Sequence, residues 1–90
     1  MLNLEYSTQF KRDFKKIIKL PIPDIVEIGH VIKQLQLGKV LSEKYVDHSL
    51  SGNWQGYRDC HIKPDLVLIY KADQTSLKLA RIGTHSELFH

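Results

Sequence analysis

Residues 65–71, DLVLIYK, contain the longest wholly apolar run of this chain, LVLIY, and this segment decides the fold. A short, nearly continuous apolar run is typical of a strand that is covered on both faces. The flanking segments are two further strand candidates: WQGYRDCHI at 54–62, before a turn at Lys63–Pro64, and LKLARIGTH at 77–85, after a turn at Ala72–Ser76. We therefore predict a β-meander with residues 65–71 as its central strand.

The N-terminal half predicts a strand followed by two helices. Residues 2–6, LNLEY, alternate between apolar and polar side chains, and Ser7 or Thr8 can cap the helix that follows. Apolar residues then recur at helical spacing in two segments. They are Phe10, Phe14, Ile17 and Ile18 in the first helix, and Ile25, Ile28, Val31, Ile32 and Leu35 in the second.

Two prolines and a glycine delimit the second helix. Pro21 and Pro23 end the first helix and open the second, at about residues 22–37, and Gly38 stands where a left-handed C-terminal cap is expected. The predicted order is therefore strand, helix, helix, strand, strand, strand. It indicates an α+β domain in which a helical hairpin packs on one face of a small, mainly antiparallel sheet and leaves the other face free for a site.

Composition limits the class of protein. The chain has 90 residues, of which 42% are hydrophobic and 26% charged, enough for one folded domain, 1–90, but not for two. The net charge of +3 favours a polyanionic partner such as nucleic acid without requiring one. Cations on the first predicted helix form either a solvated face or a surface for phosphates. They are Lys11, Arg12, Lys15, Lys16 and Lys19.

The sequence also indicates a compartment. Cys60 is the only cysteine, so an internal disulfide cannot form, and a free thiol favours a reducing compartment, by default the cytoplasm. The N-terminus carries charges where a signal peptide has an apolar core, and LVLIY is far too short to span a bilayer. We therefore expect neither export nor attachment to a membrane.

Histidines gather in the second half of the chain. Residues 47–65 read DHSLSGNWQGYRDCHIKPD, and His48, His61, His85 and His90 all lie in this half. A set of imidazoles can supply both a general acid and a general base near neutral pH. Clustering of this kind is therefore what acid–base chemistry requires.

Strand parity sorts the side chains around these histidines. In YRDCHI it places Tyr57, Asp59 and His61 on one face and Arg58, Cys60 and Ile62 on the other, which disfavours a metal pair of Cys60 and His61. In LARIGTH it places Leu79, Arg81, Gly83 and His85 together, unless a bulge at Gly83 breaks the alternation.

Arginines and aromatic residues accompany the histidines. Arg58 and Arg81 lie among apolar neighbours, so each needs a partner or a phosphate, and we expect one of them to pair with Asp59 or Glu87. Trp54 is assigned to packing, while Tyr57 is open between packing and base stacking. Phe89, near the chain end, is either a core plug or a stacking platform.

Three interpretations of the histidine set compete. A metal site would need His48, His61, Asp65 and His85 to converge, yet no local ligand spacing such as CxxC or HExxH is present. The histidines could also be purely structural. In the third interpretation they cleave RNA without a metal: a base deprotonates the 2′-hydroxyl, a cation stabilises the phosphorane, and an acid protonates the leaving 5′-oxygen.

The run DHSLSGNWQGYRDCHIKPDLVLIYK, followed by LARIGTHSELF, closely resembles the YafQ branch of the RelE/ParE toxin superfamily. The resemblance covers the whole chain in order and length. It implies a RelE-like fold, with two N-terminal helices on a twisted antiparallel sheet, and an endoribonuclease that cuts mRNA in the ribosomal A site without a metal or other cofactor. It also implies neutralisation by a small antitoxin encoded alongside.

Carried over residue by residue, the resemblance assigns the catalytic roles to His48, His61, Asp65, His85 and Phe89. Arg81 resembles a phosphate-contacting arginine, Arg58 and Tyr57 are further candidates for substrate binding, and the helix with Lys11 and Lys15 becomes a candidate contact to ribosomal RNA. The resemblance does not say which histidine is base and which is acid.

Leu66 is one departure from this pattern, because YafQ-like sequences can carry a tryptophan there. This departure affects recognition of the substrate or the rate of cleavage rather than the type of reaction. A ParE-like protein that shares the fold but grips a protein target such as gyrase is the alternative function, although such proteins generally lack this histidine set.

Overall fold

The computed structural model describes residues 1–89, and its sheet has five strands in the order β1-β5-β4-β3-β2. β1 (Asn3–Tyr6) runs parallel to β5 (Ser76–Gly83), while β2 (His48–Ser49), β3 (Arg58–Lys63), β4 (Leu66–Ala72) and β5 pair antiparallel in succession. The helices are α1 (Thr8–Ile17), α2 (Ile22–Gln36) and α3 (His85–Leu88). The α+β class and the mainly antiparallel sheet are confirmed.

β4 is the central strand, as the apolar run predicts. All residues from Leu66 to Tyr70 are buried. Leu66, Leu68 and Tyr70 belong to the main core, which α1 and α2 complete. Val67 and Ile69 instead join a smaller cluster with Leu88 of α3. The run needs no apolar–polar alternation because both faces of the strand are covered.

The helix boundaries follow the predicted signals. The Ser7 hydroxyl caps α1 by accepting the Phe10 N–H at 2.9 Å. Gly38 has a φ of 75°, the left-handed conformation predicted for the residue after α2. The inclusion of Ile18 in the first helix is wrong: α1 ends at Ile17, and Ile18 is its exposed C-cap.

Two predicted strand boundaries are also wrong. β3 begins at Arg58 rather than at residue 54, because Gly52–Trp54 form a 3-10 turn and Gly56 has a φ of 91°, which a strand does not accommodate. β5 ends at Gly83 rather than at residue 85, because Thr84 caps α3.

The alternation along β5 breaks earlier than predicted. Ile69 pairs with Arg81 and Tyr70 with Leu79, so Ala80 is the extra residue of a bulge. Leu79 and Ile82 therefore both reach the main core, whereas Ala80 joins the smaller cluster. The predicted common face of Leu79, Arg81, Gly83 and His85 is consequently wrong.

Within residues 1–89, no helix combines the length and the apolar character needed to cross a membrane.

Candidate active site

Three imidazoles from three different elements form a row beside β3. The ring centroids of His48 and His61 are 6.4 Å apart, and those of His61 and His85 are 5.0 Å apart. The Phe89 ring follows, 5.7 Å from that of His85. We call His48, His61 and His85 the histidine row. His90, the fourth histidine of the second half, lies outside the described residues.

His48 reaches the row from a strand rather than from the predicted loop. β2 is only two residues long, and it places His48 directly opposite Asp59 of β3. The Leu50 N–H continues the pairing by donating to the Tyr57 carbonyl at 2.9 Å. The sequence offered no signal for this strand, because two residues are too few to show a period.

Asp59 lies under the row and was missed as a site residue. It is only 2% exposed, and its Oδ1 lies 3.0 Å from His48 Nδ1. His48 Nδ1 is also 2.9 Å from the Val46 carbonyl oxygen, and Asp59 Oδ1 has no hydrogen-bond partner of normal geometry among residues 1–89. The contact thus brings the two ionisable side chains close together without an aligned hydrogen bond. Strand parity, which puts Asp59 and His61 on one face, was the available signal.

The charge on Asp59 is costly in this position. Burial raises the pKa of the Asp59 carboxyl above its ordinary value, and the nearby histidines offset only part of that effect. A buried carboxylate without full hydrogen bonding destabilises the folded state.

Asp65 positions the start of α3. Its Oδ1 accepts the backbone N–H of His85 at 3.0 Å and lies 3.8 Å from His85 Nδ1. Thr84 and Glu87 hold the same turn through a capping box, in which the Thr84 hydroxyl accepts the Glu87 N–H and the Glu87 carboxylate accepts the Thr84 N–H. The spacing THSE could have revealed α3 from the sequence, since S/T-x-x-E is the signature of this motif.

Arg58 lies apart from the histidine row, as parity predicts. Its Nε donates to Asp47 Oδ1 at 2.8 Å, and the Tyr70 hydroxyl donates to the other oxygen of Asp47. Burial raises the pKa of Tyr70 above its ordinary value, and its hydrogen bond to Asp47 adds to that effect. The expectation that one arginine pairs with Asp59 or Glu87 is wrong, because Asp47 lies closer to Arg58 in the fold.

Arg81 also has a different carboxylate partner. Its Nε and Nη2 donate to the two oxygens of Asp13 in α1, at 2.8 and 3.1 Å. Burial alone would raise the pKa of Asp13, but hydrogen bonds from Arg81 and from the Ile82 N–H outweigh it and hold that pKa below its ordinary value. A phosphate contact by Arg81 would therefore have to form beside an existing ion pair.

The aromatic residues divide between packing and exposure. Trp54 packs on the smaller cluster, and its ring meets Tyr57 edge-on with centroids 5.3 Å apart. Tyr57 packs on the same cluster, with Lys71 Nζ 5.5 Å from its ring centroid. Phe89 is 38% exposed, so it is not a core plug. Leu66 is buried in the main core and does not reach the open face.

The cations of α1 form a separate surface. Lys11 and Lys15 are both exposed, and neither forms an ion pair among residues 1–89. Such a surface is free to meet phosphates.

Comparison with known proteins gives a consistent result over the whole chain. A family model described as "Bacterial toxin of type II toxin-antitoxin system, YafQ" matches residues 2–90. The mRNA interferase toxin YafQ of Escherichia coli K12 is 39% identical over 88 residues, which cover 97% of this chain and 95% of that protein.

Solved structures show the same likeness. A chain of the E. coli DinJ–YafQ complex superposes with a TM-score of 0.86 and 35% identity, covering 100% of each chain. A copper-bound mutant toxin from Helicobacter pylori superposes with a TM-score of 0.90 and 37% identity, covering 99% of this chain and 100% of that one. In the part of this chain that the structure describes, residues 1–89, no group of three or more His, Cys, Asp or Glu side chains is placed to hold one metal ion.

Proposed function

The chain belongs to the YafQ family of toxins from bacterial type II toxin–antitoxin systems, and on that premise we propose that it is an endoribonuclease that cleaves mRNA in the ribosomal A site. The 90 residues act as one toxin domain in the cytoplasm, where ribosomes are found. Cleavage stops translation. A small antitoxin neutralises the enzyme, a proposal supported by the DinJ–YafQ complex of the E. coli relative.

The histidine row is the observation that carries the proposed chemistry. Cleavage requires one group to remove the proton of a 2′-hydroxyl, so that O2′ attacks phosphorus, and another to give a proton to the departing 5′-oxygen. His61 lies between His48 and His85, with ring centroids 6.4 and 5.0 Å away. Either neighbouring pair of imidazoles can therefore supply the base and the acid. The products are a 2′,3′-cyclic phosphate and a 5′-hydroxyl.

Asp65 and Phe89 complete the proposed site at its α3 end. Asp65 accepts the backbone N–H of His85 and so fixes the backbone position from which the His85 imidazole extends. The half-exposed Phe89 ring, 5.7 Å from His85, offers an aromatic face on which a base of the mRNA stacks. Positioning of this kind matters because displacing a reacting or catalytic group by about 1 Å can lower the rate on the order of 10²-fold.

Electrostatics holds the enzyme on the ribosome through a surface separate from the histidine row. The exposed Lys11 and Lys15 of α1 contact ribosomal RNA, and loss of either charge weakens the salt-dependent part of ribosome binding. Arg81 acts nearer the mRNA, through the guanidinium nitrogen that Asp13 leaves open. Arg58, which lies apart from the histidine row, binds RNA outside the cleavage site.

Single alanine substitutions test the proposal. With purified protein and mRNA-programmed ribosomes, His48→Ala, His61→Ala, Asp65→Ala and His85→Ala should each slow cleavage, by roughly 10²–10⁴-fold where the group transfers a proton. Expression of each variant should no longer arrest growth. His30→Ala is the matched control, because His30 is an exposed histidine of α2, outside the row.

Primer extension on an induced mRNA gives the second readout. New codon-spaced 5′ ends with the wild type, absent with the four variants, support the proposal. If all four variants cut like the wild type, the site assignment is wrong. Intact mRNA accompanied by DNA damage would indicate the ParE-like alternative instead.

A further inference from the structure

Among residues 1–89, Asp59 is the one buried carboxylate of the sheet face that carries the histidine row, and the proposed acid–base set does not use it. Its side chain lies opposite His48 in the β2–β3 pair, two residues before His61 on the same strand. At 2% exposure it is closed to solvent. A carboxyl group in such a place requires a physical explanation.

A purely structural explanation fails on the geometry. Asp59 Oδ1 has no hydrogen-bond partner of normal geometry within residues 1–89. His48 Nδ1, 3.0 Å from Asp59 Oδ1, has another acceptor in the Val46 carbonyl at 2.9 Å. The Nδ1 proton cannot align with both acceptors. A carboxylate kept for stability would be hydrogen-bonded as fully as Asp13 is, with four donors.

Resting on the proposed function, we propose that Asp59 is a positioning residue for cleavage, the buried counter-ion of the histidine row. Its carboxylate stabilises the imidazolium form that must be present for one histidine to deliver a proton to the leaving 5′-oxygen. Asp59 itself gains no proton in this step. The proton taken from the 2′-hydroxyl stays on one imidazole, and the proton given up comes from another.

The surroundings of Asp59 support a counter-ion role. The charged or titratable groups that act on it are His48 from β2, His61 from its own strand, His85 from α3, and Asp47 before β2, the one that opposes its ionisation. β4 contributes the apolar Ile69 opposite Asp59. Because Asp59 itself is buried, solvent screens its charge less than it screens that of an exposed carboxylate. One carboxylate can therefore serve whichever imidazole is protonated.

Asp59→Asn tests the proposal, because it removes the charge and keeps the shape. On programmed ribosomes, we expect kcat to fall by about 10- to 100-fold, less than the ~10²–10⁴-fold for removal of an acid–base group, while KM stays near that of the wild type. The ratio of variant to wild-type rate should fall as pH rises, since the imidazolium is then scarcest. Asp73→Asn is the matched control: it removes the same charge from an exposed turn and can keep the turn's hydrogen bonds.

Urea denaturation separates this role from a structural one. Asp59→Asn should be no less stable than the wild type, and a large loss of stability together with a proportional loss of activity would overturn the inference. A variant with wild-type kcat and a wild-type pH profile would also overturn it, while leaving the proposed function intact. A wild-type protein that cuts no ribosome-bound mRNA would overturn the proposed function, and the role of Asp59 with it.

Discussion

Asp13→Asn should be among the most destabilising single changes of a polar side chain. Asp13 is 8% exposed and accepts hydrogen bonds from Arg81 Nε at 2.8 Å, Arg81 Nη2 at 3.1 Å and the Ile82 N–H at 3.1 Å. An asparagine keeps one acceptor oxygen, but it turns an amide donor toward the guanidinium and leaves that cation unpaired.

The magnitude follows from burial. Breaking a fully buried ion pair costs about 3–5 kcal/mol, and because the Arg81 side chain is 22% exposed we expect a smaller value, about 2–4 kcal/mol. That is a large part of the total stability of roughly 5–13 kcal/mol expected at this chain length. Urea denaturation followed by the fluorescence of the single tryptophan, Trp54, measures it.

Measuring the stability of Asp13→Asn and the wild type at several pH values tests the direction of the Asp13 pKa shift. The pKa of Asp13 is lower in the folded state than its ordinary value of 3.8. Its contribution is therefore fully present above that value and is lost as the pH falls through the folded pKa. The difference in unfolding free energy between the wild type and Asp13→Asn should accordingly shrink in acid.

Asp24→Asn provides a matched control in an exposed ion pair. Lys63 Nζ lies 3.3 Å from Asp24 Oδ1, with side-chain exposures of 47% and 26%, so its loss should cost less than about 1 kcal/mol. If Asp13→Asn were as mild as Asp24→Asn, or if its effect did not diminish in acid, the conclusion that the ionised Asp13 stabilises the fold through Arg81 and the Ile82 N–H would be wrong.

Two further predictions concern α3 and β4. Thr84→Ala removes the hydroxyl that accepts the Glu87 N–H at 3.3 Å, so it should lower the unfolding free energy by about 1 kcal/mol. Because α3 carries His85, the proportional loss of cleavage rate should be larger than the proportional loss of stability. Thr84→Ser should keep both the stability and the cleavage rate, and equal behaviour of the two variants in melting and cleavage assays would contradict this. Leu66→Trp should lower the unfolding free energy by about 1–3 kcal/mol, because Leu66 is buried in the main core and a larger side chain overpacks it. The cleavage rate should not rise. A variant that cleaves faster and is equally stable would refute the placement of Leu66 in the core.

Local patterns predicted much of the fold, because each element carries its own signal. The apolar run of β4, the Ser7 cap and Gly38 are read from a few neighbouring residues, and all three predictions are confirmed. The capping box that starts α3 was equally local, although it was read as the end of a strand. Short elements with a clear signal are therefore predictable in principle.

Long-range partners could not be predicted in the same way. Arg81 and Asp13 are 68 residues apart, and nothing in either neighbourhood indicates the other. Asp59 pairs with His48 of β2, a two-residue strand without any period of its own. Clustering in the sequence singled out the histidines and the resemblance assigned them catalytic roles, but the carboxylate beside them emerges only when the strands are assembled.

Asp13 and Asp59 show how one residue type takes opposite roles on the two faces of this sheet. Both are buried, yet the folded state lowers the pKa of Asp13 and raises that of Asp59. Ionised Asp13 therefore stabilises the fold, whereas ionised Asp59 destabilises it until the pH falls below its folded pKa. Stability alone would favour a neutral residue at position 59, so a charge kept there serves the open face, where the histidine row lies, rather than the helix-covered core.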